Sequence, residues 1–390
     1  MVQRGRGGRI GRRAAAAMLV SLLVVASSPI VGQIRGALEA ALPGHYRAIL
    51  VGVVAGGGAV LVAAALRQIG RQPGPRGARY AIVAGAIVAA LAYAQATATG
   101  NPGVDLVERF HFLEYGVVAL LFYRVWRGRG DATAVLLPAG ATFLAGIADE
   151  AVQWFVPGRV GELRDVLLNG VAIACGVAFG VGMQPPPAAT VAFDRGSRVR
   201  LAAMSTAILL STAAFVHAAH LGHELRDPDV GTFRSRFDAA SLAAAAADRA
   251  ARWRQAPPVV LRRYSREDQY LNEGLWHVQR RNEAWAANDF AKAFRENLIL
   301  EKYYAPLLMV PTYATPSGAR WPDEQRATAA AAAAAAGGGS YVSDAHPYPI
   351  YTWSGAALWT VAVAAVLVLW CACLYLPEIG SRRSTEPSTT

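Results

Sequence analysis

The chain has 390 residues, 54% hydrophobic and only 17% charged, and its apolar residues fall in long blocks. That distribution excludes an ordinary soluble protein of two or three domains and makes a lipid bilayer the first partner. The net charge of +11 comes almost wholly from arginines grouped between apolar blocks, lysine standing only at Lys292 and Lys302, so no nucleic-acid partner is expected.

An arginine-rich head, residues 1–13, precedes a first apolar run over 14–31. Ala26-Ser27-Ser28 is a passable cleavage site, but further apolar segments follow at short intervals, so the run reads as a retained first span. The second span, 48–66, holds Gly56-Gly57-Gly58, small residues accepted where membrane helices pack closely. Arg67, Arg71, Arg76 and Arg79 crowd a Pro/Gly loop before the third span, 80–98, which ends at the turn Gly100-Asn101-Pro102-Gly103. The fourth span covers 110–126, with Arg124, Arg127 and Arg129 at its far end. The fifth starts near 133, meets Asp149-Glu150 and stops at Val156-Pro157-Gly158. The sixth, 165–183, is broken by Pro185-Pro186-Pro187. Arg195, Arg198 and Arg200 precede the seventh, 201–219, and Arg382-Arg383 follow the eighth, 353–376.

These segments predict an all-α polytopic bundle of about eight spans with a helical extracytoplasmic insertion. The arginine clusters fall on one side if both termini are cytoplasmic, in the inner or plasma membrane. The expected division is 1–104 for the first three helices, 105–183 for a core of helices four to six, and 184–220 for a cytoplasmic loop and helix seven. Residues 221–350 make the extracytoplasmic segment, and 351–390 the last helix and a cytoplasmic tail. Within 221–350, a helix over 238–254 stops before Pro257-Pro258. Ser265 with Asp268 forms a capping box for a helix carrying Leu271, Leu275, Val278 and Trp285. Asn288 caps another with Phe290, Phe294 and Leu298. A fourth starts at Trp321-Pro322-Asp323-Glu324 and runs through the polyalanine to Gly337, although that run also fits a low-complexity spacer. Arg266, Tyr270, His277, Arg280 and Arg281 read as a solvated face.

Ionisable groups are costly near a bilayer core, so three polar blocks at span ends draw the eye. Glu108, His111 and Glu114/Tyr115 stack on one side of a helix, Asp149 and Glu150 lie four and three residues before Gln153, and Asp165 lies four before Asn169. Ala172 and Gly176 continue that last face as small packing residues, and Arg109, Arg159 and Arg164 supply countercharge. The expected topology brings the three blocks to one depth on the outer face. With no Ser or Cys next to a His in these blocks, a nucleophilic triad is not expected. The cysteines, Cys175, Cys371 and Cys373, lie inside apolar segments and read as small fillers, and no cofactor is expected.

The order and spacing of these blocks resemble the VanZ-like membrane proteins. The matching residues are Arg109, His111, Phe112 and Tyr115, then Glu150, Gln153 and Arg159, then Asp165 and Asn169, within roughly 105–182; Ala172 stands where the family has glycine. The resemblance implies an integral membrane protein linked to glycopeptide (teicoplanin) resistance.

Three functional readings follow. In the first, an outer-face polar pocket binds a lipid-linked or amphiphilic envelope component, with Arg109, Arg159 and Arg164 as anion clamps beside His111, Glu114, Tyr115, Glu150, Gln153, Asp165 and Asn169. In the second, a membrane enzyme uses His111 and Glu150 as proton carriers, or Asp165, Glu150 and Asn169 as oxygen ligands. In the third, 221–350 is a scaffold for an envelope protein partner. Against all three stands a structural reading, in which the polar groups only lock helices together. His217, His220 and His223 spread over roughly 120° of arc with the outer two about 9 Å apart, so His217 and His220 are the easier pair for a metal, and packing is the ordinary explanation.

Overall fold

The computed structural model describes residues 2–42, 44–98, 100, 102–156, 159, 161–187, 193–255, 269–309, 319–336, 341–344 and 349–375. In chain order the elements are α1 (Val2–Ala41), α2 (Tyr46–Arg71), α3 (Arg76–Ala96), α4 (Pro102–Trp126), α5 (Thr133–Phe155), α6 (Leu163–Met183) and α7 (Arg195–Ala219). Then come β1 (His223–Asp227), β2 (Gly231–Ser235), α8 (Ala239–Gln255), α9 (Gln269–Ala286), α10 (Phe290–Tyr303), α11 (Ala305–Leu308), α12 (Asp323–Ala336), β3 (Val342–Asp344) and α13 (Gly355–Tyr375).

Among the described residues, seven helices are long and apolar enough to cross a membrane: α1 over Ile10–Ile30, α2 over Ala48–Arg71, and α3, α5, α6, α7 and α13 over their whole lengths. The expected fourth span is not one of the seven: α4 has 25 residues, about 38 Å at the helical rise, and so the length to cross, but carries Asp105, Glu108, Arg109, Glu114 and Arg124. The chain is therefore a multi-pass, all-α membrane protein with one small sheet. It folds as two compact units, one drawn from Met1–Val152, Leu163–Ala213 and Thr360–Thr390, the other from Gln153–Glu162 and Ala214–Trp359.

The first unit is organised around α6. Tyr115, Ala119 and Tyr123 of α4 pack on Ala172, Ile173 and Val177 of α6 in one buried cluster. The helices approach this closely because Gly176 faces Gly116: a Cβ at Gly176 would lie 2.6 Å from the Gly116 carbonyl oxygen and 2.8 Å from its Cα. Small residues that let backbones meet are a main source of helix association where lipid removes the hydrophobic drive. A second cluster, Ala65, Ile69, Val83, Leu120 and Met183, joins α2, α3, α4 and α6.

Arg79 corrects the loop reading of its arginine cluster. It lies inside α3, buried, donating from Nε to the Gly182 carbonyl (3.1 Å) and from Nη2 to the Met183 carbonyl (2.6 Å) and Gln72 Oε1 (2.7 Å). The last carbonyls of a helix have no partner of their own, so this guanidinium caps α6. Arg79→Ala is expected to lower stability by about 1.5–3 kcal/mol, and Arg79→Lys to restore less than half, because an ammonium lacks the fork. Thermal unfolding of the purified protein in detergent reads both.

The second unit holds a feature absent from the sequence expectation, a three-stranded sheet in the order β1-β2-β3. The hairpin pairs Leu225 with Phe233, and its turn is held by the Asp227 carboxylate, which accepts from the Asp229 and Val230 amides, and by Gly231 at φ +100°. β3 runs parallel to β2, Phe233 opposite Ser343. Under the sheet lie Phe233, Leu242, Tyr270, Leu271, Val278, Ile299, Leu300, Tyr304 and Leu307.

Two local readings are corrected here. Asn288 does not cap α10; it takes a left-handed φ of 60°, and the next residue, Asp289, accepts from the Lys292 amide (3.1 Å). The charge run on α9 is no solvated face, for Tyr270, His277 and Arg281 are buried. Arg281 stacks over Trp321 at 4.9 Å and donates to Asn297 (3.1 Å), and burial pulls its guanidinium down to about 10. The Ser265/Asp268 capping box, Arg266, Pro157-Gly158, Pro257-Pro258, Gly337 and Arg382-Arg383 lie outside the described residues, as does the Glu108 side chain.

Candidate functional site: the polar core and groove around α4

Within the first unit the polar blocks of α4, α5 and α6 meet. The Tyr115 hydroxyl donates to Asp149 Oδ2 at 2.8 Å, and Ser28 of α1 donates to the other carboxylate oxygen, Oδ1. Gly146 stands one turn before Asp149 and faces both Asn169 of α6 and Tyr115: a Cβ there would be in ordinary contact, 3.5 Å from the Asn169 amide nitrogen and from the Tyr115 ring. Tyr115, Asp149, Glu150 and Asn169 are all at most 2% exposed. The Asn169 Nδ2 has no hydrogen-bond partner among the described residues.

Toward the start of α4, His111 Nδ1 lies 3.2 Å from Glu114 Oε2, one turn apart and partly buried, and the imidazole stacks on Tyr115 with centroids 6.2 Å apart. At the first turn of α6, Arg164 is exposed and Asp165 half-buried. Gln153 and Arg159 belong to the second unit, where Arg159 Nη2 donates to Gln153 Oε1 at 2.7 Å.

Two members of this network have no role in the functional readings of the sequence. Asp149 stands in the same polar block as Glu150, and the family resemblance singles out Glu150; Ser28 reads in sequence as part of a cleavage site. A hydroxyl and an acid at matching depth on different spans are the signal that links them, since buried polar groups in lipid must find partners.

The other face of α4 borders a groove of about 470 Å³ between α2, α3, α4 and α6. Val54 and Gly58 of α2, Ala90 of α3, Phe112 and Gly116 of α4 and Phe179 of α6 represent its walls. Among the described residues one charged side chain lines it, Arg109. Arg109, Phe112, Leu113, Gly116 and Leu120 recur at three- and four-residue spacing on the groove face. His111, Glu114 and Tyr115 do not line it, nor do Glu150, Asp165 and Asn169.

Residues 76–183 match the VanZ/LLP1 family model. The match begins at the first residue of α3 and ends at the last of α6, so the VanZ-like segment holds the meeting point of the three polar blocks and three of the groove's four helices. The fourth wall, α2, lies before it. No curated protein and no solved structure matches the chain.

Among the described residues no group of three His, Cys, Asp or Glu side chains is placed to hold a metal ion. In the second unit, the His217 ring lies 6.3 Å from Trp359 and would touch a Cβ at Gly355 at 2.9 Å. His220 is buried, with Nδ1 3.1 Å from the Pro349 carbonyl and its ring 5.5 Å from Tyr351.

Proposed function

We propose that this VanZ-like protein sits in the inner or plasma membrane with both termini cytoplasmic, and that its core recognises an amphiphilic molecule of the cell envelope. The reading is carried by the groove between α2, α3, α4 and α6. Its volume of about 470 Å³ falls within the range of small-molecule sites, and its walls are almost wholly hydrocarbon. A chain-bearing molecule fits such a lining, and a purely polar one does not. Binding is favoured over turnover because the acid and hydroxyl groups of Tyr115, Asp149 and Ser28 engage one another on the opposite face of α4.

Gly58 lines the groove, and a Cβ there would meet nothing within 4 Å, so a larger side chain can enter without displacing a helix. Gly58→Phe is expected to abolish saturable retention of a radiolabelled hexadecyl-chain amphiphile by the purified protein while leaving its melting temperature within a few degrees of wild type. Wild-type protein that shows no saturable retention of such a chain would overturn the proposal.

A further inference from the structure

We infer that the occupant of the groove is a membrane lipid with an anionic phosphate head, one hydrocarbon chain lying along α4 and the phosphate held by Arg109; this rests on the amphiphile reading above and deepens it. The shape argues for a chain. The α4 wall runs from Leu106 to Leu120, about 20 Å at the helical rise, a length along which an extended hydrocarbon chain of about sixteen carbons can lie.

The charge argues for the head. Arg109 stands one turn from the Leu106 end, so the polar contact sits at one end of the groove and leaves the rest to hydrocarbon. Its side chain is exposed, and among the described residues no carboxylate is paired with it. An arginine in a membrane helix is costly without a counterion, and a guanidinium offers forked donors that match phosphate oxygens. A snorkelling arginine would also reach toward head groups, but it would not need an apolar groove leading away from its stem. The two observations select different parts of one ligand: the groove takes the tail, and Arg109 the head.

The test compares hexadecyl phosphate with hexadecanol, which keeps the chain and lacks the phosphate, on the full-length protein in a neutral detergent, read by native mass spectrometry and by displacement of a labelled chain. Wild type should hold hexadecyl phosphate at least about tenfold more tightly, the order of effect of one charge-assisted hydrogen bond. Arg109→Gln should bring the two within about twofold, Arg109→Lys should keep part of the preference, and Gly58→Phe should lose both ligands. Equal retention of the two amphiphiles by wild type, unaltered in Arg109→Gln, would overturn the phosphate assignment and leave the amphiphile reading standing. Retention of neither would remove both. A preference that survives in both Arg109→Gln and Arg109→Lys would show that another group holds the head. The melting temperature of Arg109→Gln should stay close to wild type, since an exposed side chain supports no core.

Discussion

Gly176→Leu is expected to dismantle the VanZ-like core. At the crossing of α4 and α6 the atoms facing Gly176 are the carbonyl oxygen and Cα of Gly116, 2.6 and 2.8 Å from where a Cβ would stand. Overpacking a well-filled site costs about 1–3 kcal/mol when side chains can adjust; here the neighbour is backbone and cannot swing aside, so the effect should exceed that range. Moving α6 away would also open the close approaches of Gly180 to Tyr123 and of Gly182 to Val83, where a Cβ would stand 2.7 and 2.8 Å from those side chains. The measurement is the monodisperse yield after detergent extraction together with the melting temperature, set beside Gly52→Leu, a membrane glycine whose Cβ would meet nothing within 4 Å. Similar behaviour of the two variants would mean that α4 and α6 do not cross at these glycines.

The second large effect is expected in the other unit. His277 Nδ1 lies 2.7 Å from Glu296 Oε2, both side chains fully buried, while Ser343 (2.7 Å) and Tyr341 (2.5 Å) donate to the other oxygen. The carboxylate thus ties α9 to α10 and to the strand that closes the sheet. Removing one partner of a buried pair leaves an uncompensated charge, so His277→Ala and Glu296→Ala should each cost about 3–5 kcal/mol, whereas Leu at both positions should cost much less than their sum. Burial pushes the Glu296 carboxyl up, but the His277 charge and the hydrogen bonds from His277, Tyr341 and Ser343 outweigh it and hold it below the ordinary range. A carboxyl depressed in the folded state contributes stability that is present above its unfolded value, about 4.3, and is lost as pH falls through the folded value. Tryptophan fluorescence of the second unit should therefore report loss of stability below about pH 4, and Glu296→Gln should be weaker at neutral pH and flatter in that acid window.

Hydropathy made the membrane helices legible, because lipid imposes a length and composition that a single sequence displays openly. The small-residue face of α6 was legible too, since Ala172 and Gly176 follow Asn169 at near-helical spacing and do face α4. Of the polar core, the sequence points to Tyr115 and Asn169, but it ranks Glu150 above Asp149 through the family pattern, because spacing alone gives two adjacent acids nearly equal claims. The sheet left almost no local trace. β1 reads His-Glu-Leu-Arg-Asp, β3 has three residues, and its partner β2 lies more than a hundred positions earlier. On α9, charge disguised burial: Glu273, His277 and Arg281 look solvated by type. Yet they share a helical stripe with Tyr270, Leu271, Gly274 and Val278, and that stripe faces inward. Polar residues interleaved with large apolar ones on a single face are what sequence reading could have weighed as a buried network.

The root of the second unit has a consequence for how this chain can be rebuilt. Leu221 and Tyr351 form a parallel bridge; the Tyr351 amide donates to the His220 carbonyl at 2.7 Å and the Gly222 amide to the Tyr351 carbonyl at 3.0 Å. Some 130 residues thus leave and rejoin the chain at one doorway, a hydrogen bond wide. A module with touching ends can be removed or exchanged with little strain on what flanks it. The backbone already offers the splice point, so a few linking residues from the end of α7 to the start of α13 would close the gap, and a foreign domain with equally close ends could be grafted in its place.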